Sequence, residues 1–393
     1  MIDTIKKELC TGCNACYNIC PRDCIHMEED NTGFKYPKIN YDKCIRCKQC
    51  IKVCPSLNKL SLDKNWSKPK VFAAWSLDEK IRFNSSSGGI FSELAKIVLS
   101  KGGLVVGARY NKQNLVEHDI IESIENLEKL RQSKYVQSDI GYIFRKIEKE
   151  LLNNRVVAFC GSPCQVAGLL RFLKKPYHNL ITFDFVCRGA NSPKAYLKYL
   201  KMLEHKYKSK IKRIWFRHKI YGWNRLSTRI DLKNGKTYIK DRYTDLYMRG
   251  YIEENLYMRP CCFNCKFKNF PRVADITLGD FWKIEASYTK IDSDKGISLV
   301  MVNSDRGEDL FRSISNNIFY KKSTLNVALK GNPAIIKSSV KNPKSDIFMN
   351  MLDKYSFDVC FKKCTKNRFL KNIQRKVCKI KSKIKKIVSH WYM

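Results

Sequence analysis

Apolar residues fall in short runs separated by glycine-bearing turns, and their spacing alternates between the period of a strand and that of a helix. Residues 71–76 read as a strand, 89–100 as a helix with Ile90, Phe91, Leu94, Ile97 and Val98 as its apolar positions, and 104–110 as a buried strand. A helix over 140–152, a strand over 156–159, a helix over 163–173 and a strand over 180–186 follow. Residues 211–239 are strand-rich, with Asn234-Gly235 as a hairpin turn. Strand, glycine turn and helix in succession predict a layered sheet with helices. Near the end, Leu370, Ile373, Val377, Ile380, Ile384, Ile387 and Trp391 recur at gaps of three and four, lining one face of a helix whose other face is basic. Such a face suits an anionic membrane surface, or packing on the protein's own body or a partner.

The first 60 residues follow a different rule. Nine of the eighteen cysteines lie there, in two copies of one run: Cys10, Cys13, Cys16, Cys20-Pro21 and Cys44, Cys47, Cys50, Cys54-Pro55, repeating with a period of 34 residues. This is the spacing with which two-cluster bacterial ferredoxins hold 4Fe-4S clusters, the fourth cysteine of each run crossing to the other cluster. Cys10, Cys13, Cys16 and Cys54 are therefore expected to hold one cluster, and Cys44, Cys47, Cys50 and Cys20 the other. Zinc needs only four ligands per site, and a secreted disulfide framework would need an apolar leader that residues 1–8 do not provide. Cys24, one helical turn past Cys20, reads as a small buried residue. Between the halves, residues 33–39 alternate like a short strand with Pro37 at its edge.

Composition sets the wider frame. At 393 residues the chain is too long for a ferredoxin alone, and its 44% hydrophobic content can fill a sizeable core. No apolar run is long enough to span a membrane, and many thiols beside low-potential clusters point to a reducing cytoplasm, with peripheral attachment at the inner membrane face as the role of a basic tail. The net charge of +38 is concentrated in part at the end, where residues 361–393 carry twelve Lys or Arg and no acid. Without a recognition motif, that charge does not amount to a nucleic-acid-binding signature. The expected class is α+β: a cluster module over 1–60, a linker over 61–70, a mixed α/β domain over 71–355 and a basic amphipathic tail over 356–393.

Two small-residue turns precede helices: Asn84-Ser85-Ser86-Ser87-Gly88-Gly89, and Cys160-Gly161-Ser162-Pro163-Cys164-Gln165. Free N–H groups at a helix start make either turn an anion site, although an N-cap and loop is the simpler reading of each. Neither matches the three-glycine dinucleotide fingerprint or the lysine-containing nucleotide loop. A second cysteine set, Cys160, Cys164, Cys187, Cys261, Cys262 and Cys265, includes one pair at metal-ligand spacing, Cys262 and Cys265. It reads as separate buried thiols, with a third cluster or a redox-active thiol as the alternative.

The serine–glycine run, Gly161 to Leu169, Phe216-Arg217-His218-Lys219 with Gly222-Trp223, and Asp275 to Trp282 together resemble the coenzyme F420 hydrogenase/dehydrogenase beta-subunit family over about residues 70 to 310. The resemblance implies a flavoprotein: FAD in the 71–355 domain, exchanging electrons with the clusters and hydride with coenzyme F420 or another organic donor or acceptor. It implies Ser85, Ser86, Ser87, Gly88, Gly89, Lys134, Tyr135, Gly161, Ser162, Pro163, Cys164 and Gln165 as cofactor contacts, with Lys134 as a cation for anionic reduced flavin. Arg188 stands where family members commonly have histidine; an arginine there would favour an anionic ligand. The expected function is an iron–sulfur flavoprotein oxidoreductase served by a ferredoxin-like or other redox protein. The alternative is an electron-transfer subunit without a substrate of its own.

Overall fold

The computed structural model describes residues 1–58, 60–62, 65–284 and 294–365. The apolar stripe from Leu370 to Trp391 lies outside the described residues. Within them, no helix is long and apolar enough to cross a membrane.

In the N-terminal module, strand β1 (Ile25–Glu29) pairs antiparallel with β2 (Lys35–Ile39), Ile25 opposite Ile39. Each cysteine run winds into a short helix, Ala15–Ile19 or Gln49–Lys52, entered through a left-handed residue, Asn14 or Lys48. Gly12 and Arg46 precede these at φ of 68° and 55°. Left-handed backbone is free for glycine and tolerable for asparagine, but costs other residues about 1–2 kcal/mol. The first half of the repeat meets this requirement with suitable residues, and the second half does not.

The body is built on an eight-stranded sheet in the order β13-β3-β12-β11-β7-β6-β4-β5. Its strands are β3 (Asn65–Ser76), β4 (Leu104–Tyr110), β5 (Val116–Ile121), β6 (Val157–Cys160), β7 (Leu180–Phe185), β11 (Ile276–Asp280), β12 (Ser298–Ser304) and β13 (Ile318–Ser323). The four central strands β4, β6, β7 and β11 are parallel, and the flanking pairings are antiparallel. A second sheet is the meander β8 (Ile211–His218), β9 (Ser227–Leu232) and β10 (Thr237–Asp241), with Gly235 at φ 82° in the hairpin turn. Strand β3 begins six residues before the expected strand, so residues 65–70 are sheet and not linker. Its extra residues gain a partner in β12, a pairing that local polarity does not reveal. The start of the expected tail is likewise structured: helix Phe357–Cys364 buries Phe357, Cys360, Phe361 and Cys364 in the same core as helix Pro193–Tyr207.

The module is held against the body by polar contacts. Asn14 donates to Asp139 at 3.1 Å, Asn18 to the Gly141 carbonyl at 2.8 Å, and Arg145 to the Asn18 and Cys20 carbonyls at 2.6 and 2.8 Å. Tyr17 stacks on Tyr142 with ring centres 4.3 Å apart. Gly168 lets helix Pro163–Leu173 approach the module, because a Cβ there would come within 2.9 Å of Cys13.

Under the sheet, Arg272 and Asp184 form an ion pair at 3.0 Å, their side chains 2% and 0% exposed. Removing one partner of such a pair strands a buried charge. Arg272→Met should cost about 3–5 kcal/mol, and the Arg272→Met/Asp184→Leu double variant should recover most of it; denaturant midpoints read the difference.

Candidate functional site

Two small cavities open inside the module. One is ringed by Cys10, Cys13, Cys16 and Cys54, with Ile2, Ile5, Met27 and Pro37 as apolar walls. The other is ringed by Cys20, Cys44, Cys47 and Cys50, with Ile25, Ile39 and Ile45. These are the two sets of four into which the repeat divides, each fourth cysteine having crossed over. Among the described residues, no group of three or more His, Cys, Asp or Glu is placed to hold a single metal ion. The sulfurs surround a volume instead, which suits a polynuclear cluster. Burial pushes the Cys13 thiol up to about 12 and that of Cys16 well above its ordinary value. Loading iron on these ligands must therefore displace protons. Cys24 also lines the second cavity, its sulfur 3.3 Å from that of Cys20, and burial first, then the neighbouring thiols, raises it to about 12. It is the small buried thiol that its position suggests.

The seam over the first cavity contains Arg259, which is 0% exposed and has no carboxylate partner among the described residues. Its guanidinium donates to the Cys10 carbonyl at 2.8 Å, the Cys10 sulfur at 3.6 Å, the Lys35 carbonyl at 2.9 Å and Gln137 at 2.8 Å. It lies over the rings of Tyr36 and Phe34, 4.4 and 5.1 Å from their centres. Gly12 lies directly beneath it, at a φ of 68° that favours glycine, and a Cβ there would come within 2.9 Å of the guanidinium. Nothing in the sequence marked this arginine, which lies 249 residues from Cys10.

On the body, the carboxyl ends of β6, β7 and β11 run into Gly161, Val186 and Phe281. In open sheets of parallel strands this edge is where ligands bind. The serine–glycine turn reaches the same edge: a Cβ on Gly88 would meet the Ala74 carbonyl and the Ser298 nitrogen, and Ser298 pairs with Asp280. Both turns predicted from sequence are thus brought to one side of the sheet, but in different states. At the second turn, Ser162 and Gln165 close a capping box on helix Pro163–Leu173, so their side chains are already engaged. At the first, Ser85 and Ser87 donate to the Ile81 and Ile297 carbonyls, and Ser86 accepts from Ser133. Helix Ile90–Ser100 nevertheless starts at Gly89 without a side-chain cap, leaving its opening N–H groups open. Glu93 in that first turn is buried and turned to Ser76 and Lys96.

Two cations brace the serine–glycine turn from behind. Arg217 forms a two-pronged pair with Asp280 at 2.6 and 2.7 Å and donates to the Ser86 carbonyl at 3.0 Å and the Tyr135 hydroxyl at 3.2 Å. Lys219 donates to the carbonyls of Arg82, Ser87 and Lys295 at 2.5–2.9 Å. Trp223 and Trp282 stack beside them, 4.1 Å apart. Arg217, Lys219 and Asp280 belong to the motifs that carry the family resemblance, yet as isolated residues they gave no site signal. Lys134 is half-buried, its ammonium donating to the carbonyls of Leu130, Arg131 and Gln132, and desolvation of that ammonium pulls it down to about 7. Its donors are thus directed at its own loop. Arg188 is likewise tied internally, to the Ile252 carbonyl and Asn255, both at 2.7 Å.

The second cysteine set does not stay separate. Cys164, Cys187, Cys262 and Cys265 lie within electrostatic reach of one another, and Cys261 joins them through Cys262 and Cys164. A hydrogen bond from Cys261, the Ala190 N–H, and the charges of Arg259 and Lys268 together pull Cys262 down to about 7 against its burial. Cys160 stands apart, near Asp184 and Lys134. The grouping brings Cys164 and Cys187 to the Cys262 and Cys265 pair, 75 to 101 positions further along the chain, a meeting that only the fold makes.

Known protein families match two parts of the chain. The model of the N-terminal part of the coenzyme F420 hydrogenase/dehydrogenase beta subunit covers residues 71–144, that of its C-terminal part residues 154–327, and a 4Fe-4S dicluster domain residues 9–58. The coenzyme F420-dependent sulfite reductase of Methanocaldococcus jannaschii is 23% identical over 328 residues, covering 79% of this chain and 47% of that protein. The chain thus spans about half the length of that relative. A polyferredoxin-like protein of the same organism is 38% identical over 60 residues, 13% of this chain and 36% of that protein. Among solved structures, the F420-reducing NiFe hydrogenase complex of Methanosarcina barkeri has a chain that aligns at 16% identity and TM-score 0.46, covering 72% of this chain and 99% of that one.

Hydrogen bonds to cluster sulfurs and nearby charge set the potential of such clusters. Arg259→Gln should lower the midpoint of one cluster and leave the other in place. We expect a fall of at least about 59 mV, a tenfold change in a one-electron equilibrium, in a redox titration followed by electron paramagnetic resonance.

Proposed function

Because this chain belongs to the coenzyme F420 hydrogenase/dehydrogenase beta-subunit family, with a 4Fe-4S dicluster domain ahead of the family region, we propose that it is an iron–sulfur flavoprotein oxidoreductase. In this reading Cys10, Cys13, Cys16 and Cys54 hold one cluster, Cys20, Cys44, Cys47 and Cys50 the other, and the body binds FAD. A bound flavin would supply the exchange between one-electron clusters and a two-electron hydride partner. The open N–H groups at Gly89 and Ile90 suit a phosphate, and Arg217 and Lys219 engage the carbonyls of Ser86 and Ser87 in the turn before them. Coenzyme F420 is the hydride partner the family relationship favours, and a redox protein is the partner on the cluster side.

The observation that carries this reading is convergence. Both small-residue turns and the cysteine group meet at the carboxyl edge of the parallel strands, and helix Pro163–Leu173, which opens at that edge, touches Cys13 through Gly168. Anaerobic reconstitution should give about one FAD per chain, and mixing with reduced F420 should bleach flavin before the clusters. A chain that stays flavin-free, or clusters that accept electrons with no turnover by any hydride donor in a panel including nicotinamides, would replace this reading with a pure electron-transfer subunit.

The grouping of Cys164, Cys187, Cys262 and Cys265 favours a third cluster between the module and the edge. Iron analysis should then give about twelve irons per chain and about eight in Cys265→Ala; about eight in the wild type removes the third cluster.

A further inference from the structure

The two halves of the cysteine repeat put the same backbone to different uses. In the first, Gly12 lies under Arg259, Cys13 against Gly168, and Asn14 donates to Asp139, so that this half is covered by the body. The matching positions of the second half are Arg46, Cys47 and Lys48, all exposed, with Ile45 61% exposed beside them. Arg46 and Lys48 have φ of 55° and 60°, the strained conformations that the first half gives to Gly12 and Asn14. The Lys48 carbonyl accepts from the Ile51 and Lys52 N–H groups, but the side chains of Lys43, Arg46 and Lys48 form no hydrogen bond or ion pair with any described residue. Of the nearby acids, Asp3 accepts from Tyr41, Asp23 pairs with Arg145, and Asp42 is exposed, whereas Arg22 and Lys52 add to the positive charge. The left-handed backbone itself serves the winding of the cysteine run, as it does in the first half; what has no use inside the molecule is the set of exposed cationic side chains around Ile45 and Cys47.

We propose that Lys43, Ile45, Arg46, Cys47 and Lys48 form the docking surface for a small acidic one-electron carrier protein. An apolar side chain ringed by cations is complementary to an acidic rim around a redox centre, and long-range attraction of this kind acts mainly on the rate of encounter. One electron passes between the carrier and the cluster held by Cys20, Cys44, Cys47 and Cys50; one centre is oxidised as the other is reduced, with no bond or proton transferred. The inference rests on the cluster part of the proposed function and is independent of the flavin.

The informative variant is Arg46→Gly/Lys48→Asn, which copies the first half, removes both charges and relieves the backbone. In stopped-flow experiments on the full chain with a reduced acidic 4Fe-4S ferredoxin, its second-order rate at low salt should fall at least tenfold. It should converge on the wild-type rate as salt screens the attraction. Reduction by methyl viologen radical, which is small enough to need no docking, should not slow. Arg46→Glu/Lys48→Glu should fall further. Wild-type rates and salt dependence in both variants, at full cluster spin count, would overturn the docking surface alone. A wild-type chain without two clusters' worth of spins would overturn the cluster reading and docking together. Rates that respond to anionic vesicles and not to ferredoxin would reassign the face to a membrane.

Discussion

A guanidinium with no access to water, and no carboxylate among the described residues to pair with, is the constraint on which the two parts of this protein depend. A buried charge is tolerated only when it is paired and its hydrogen bonds are made. Arg259 meets the second condition with the Cys10 and Lys35 carbonyls of the module and the Gln137 side chain of the body, and for the first it has the Cys10 sulfur at 3.6 Å. The sulfur it reaches is that of Cys10 in the first cavity, so the filling of that cavity and the packing of the body are one problem. The glycine of the first cysteine run, the aromatic pair of β2 and its approach, and Gln137 are all fitted around that cation.

The sheet provides the second organising element. Four parallel strands deliver their carboxyl ends to one edge, and antiparallel β12 and β3 return the serine–glycine turn to it. Chemically unrelated features therefore meet there: an uncapped helix start, a two-pronged ion pair, a lysine held in a cage of carbonyls, and a group of thiols. None of them needs to be near another in sequence.

That arrangement explains what the sequence could and could not disclose. The cysteine runs were legible because a cluster fixes ligand spacing locally, and strands such as β4 and helices such as 163–173 were legible because their apolar period is uninterrupted. Strand β3 was read too short, since its first residues are polar and are held by their partner strand. Strands β5, β11, β12 and β13 lay between the recognised segments and depended on long-range pairing. The cysteine group of the body looked like scattered thiols, because its members come from the ends of different strands and a distant loop. Arg259 was silent for the same reason: an arginine in a basic chain is ordinary until the fold removes water from it.

Helix Pro163–Leu173 carries Cys164 in its first turn and Gly168, the contact to Cys13, one turn later. At a rise of 1.5 Å per residue, four residues correspond to about 6 Å along the axis. The helix is thus a fixed gauge between two sulfur-rich sites: their separation is set by backbone hydrogen bonds and not by a linker or a side-chain rotamer. Module and body cannot drift apart without unwinding that turn or breaking the glycine contact, so the spacing that governs any electron transfer between them is a constant of the fold.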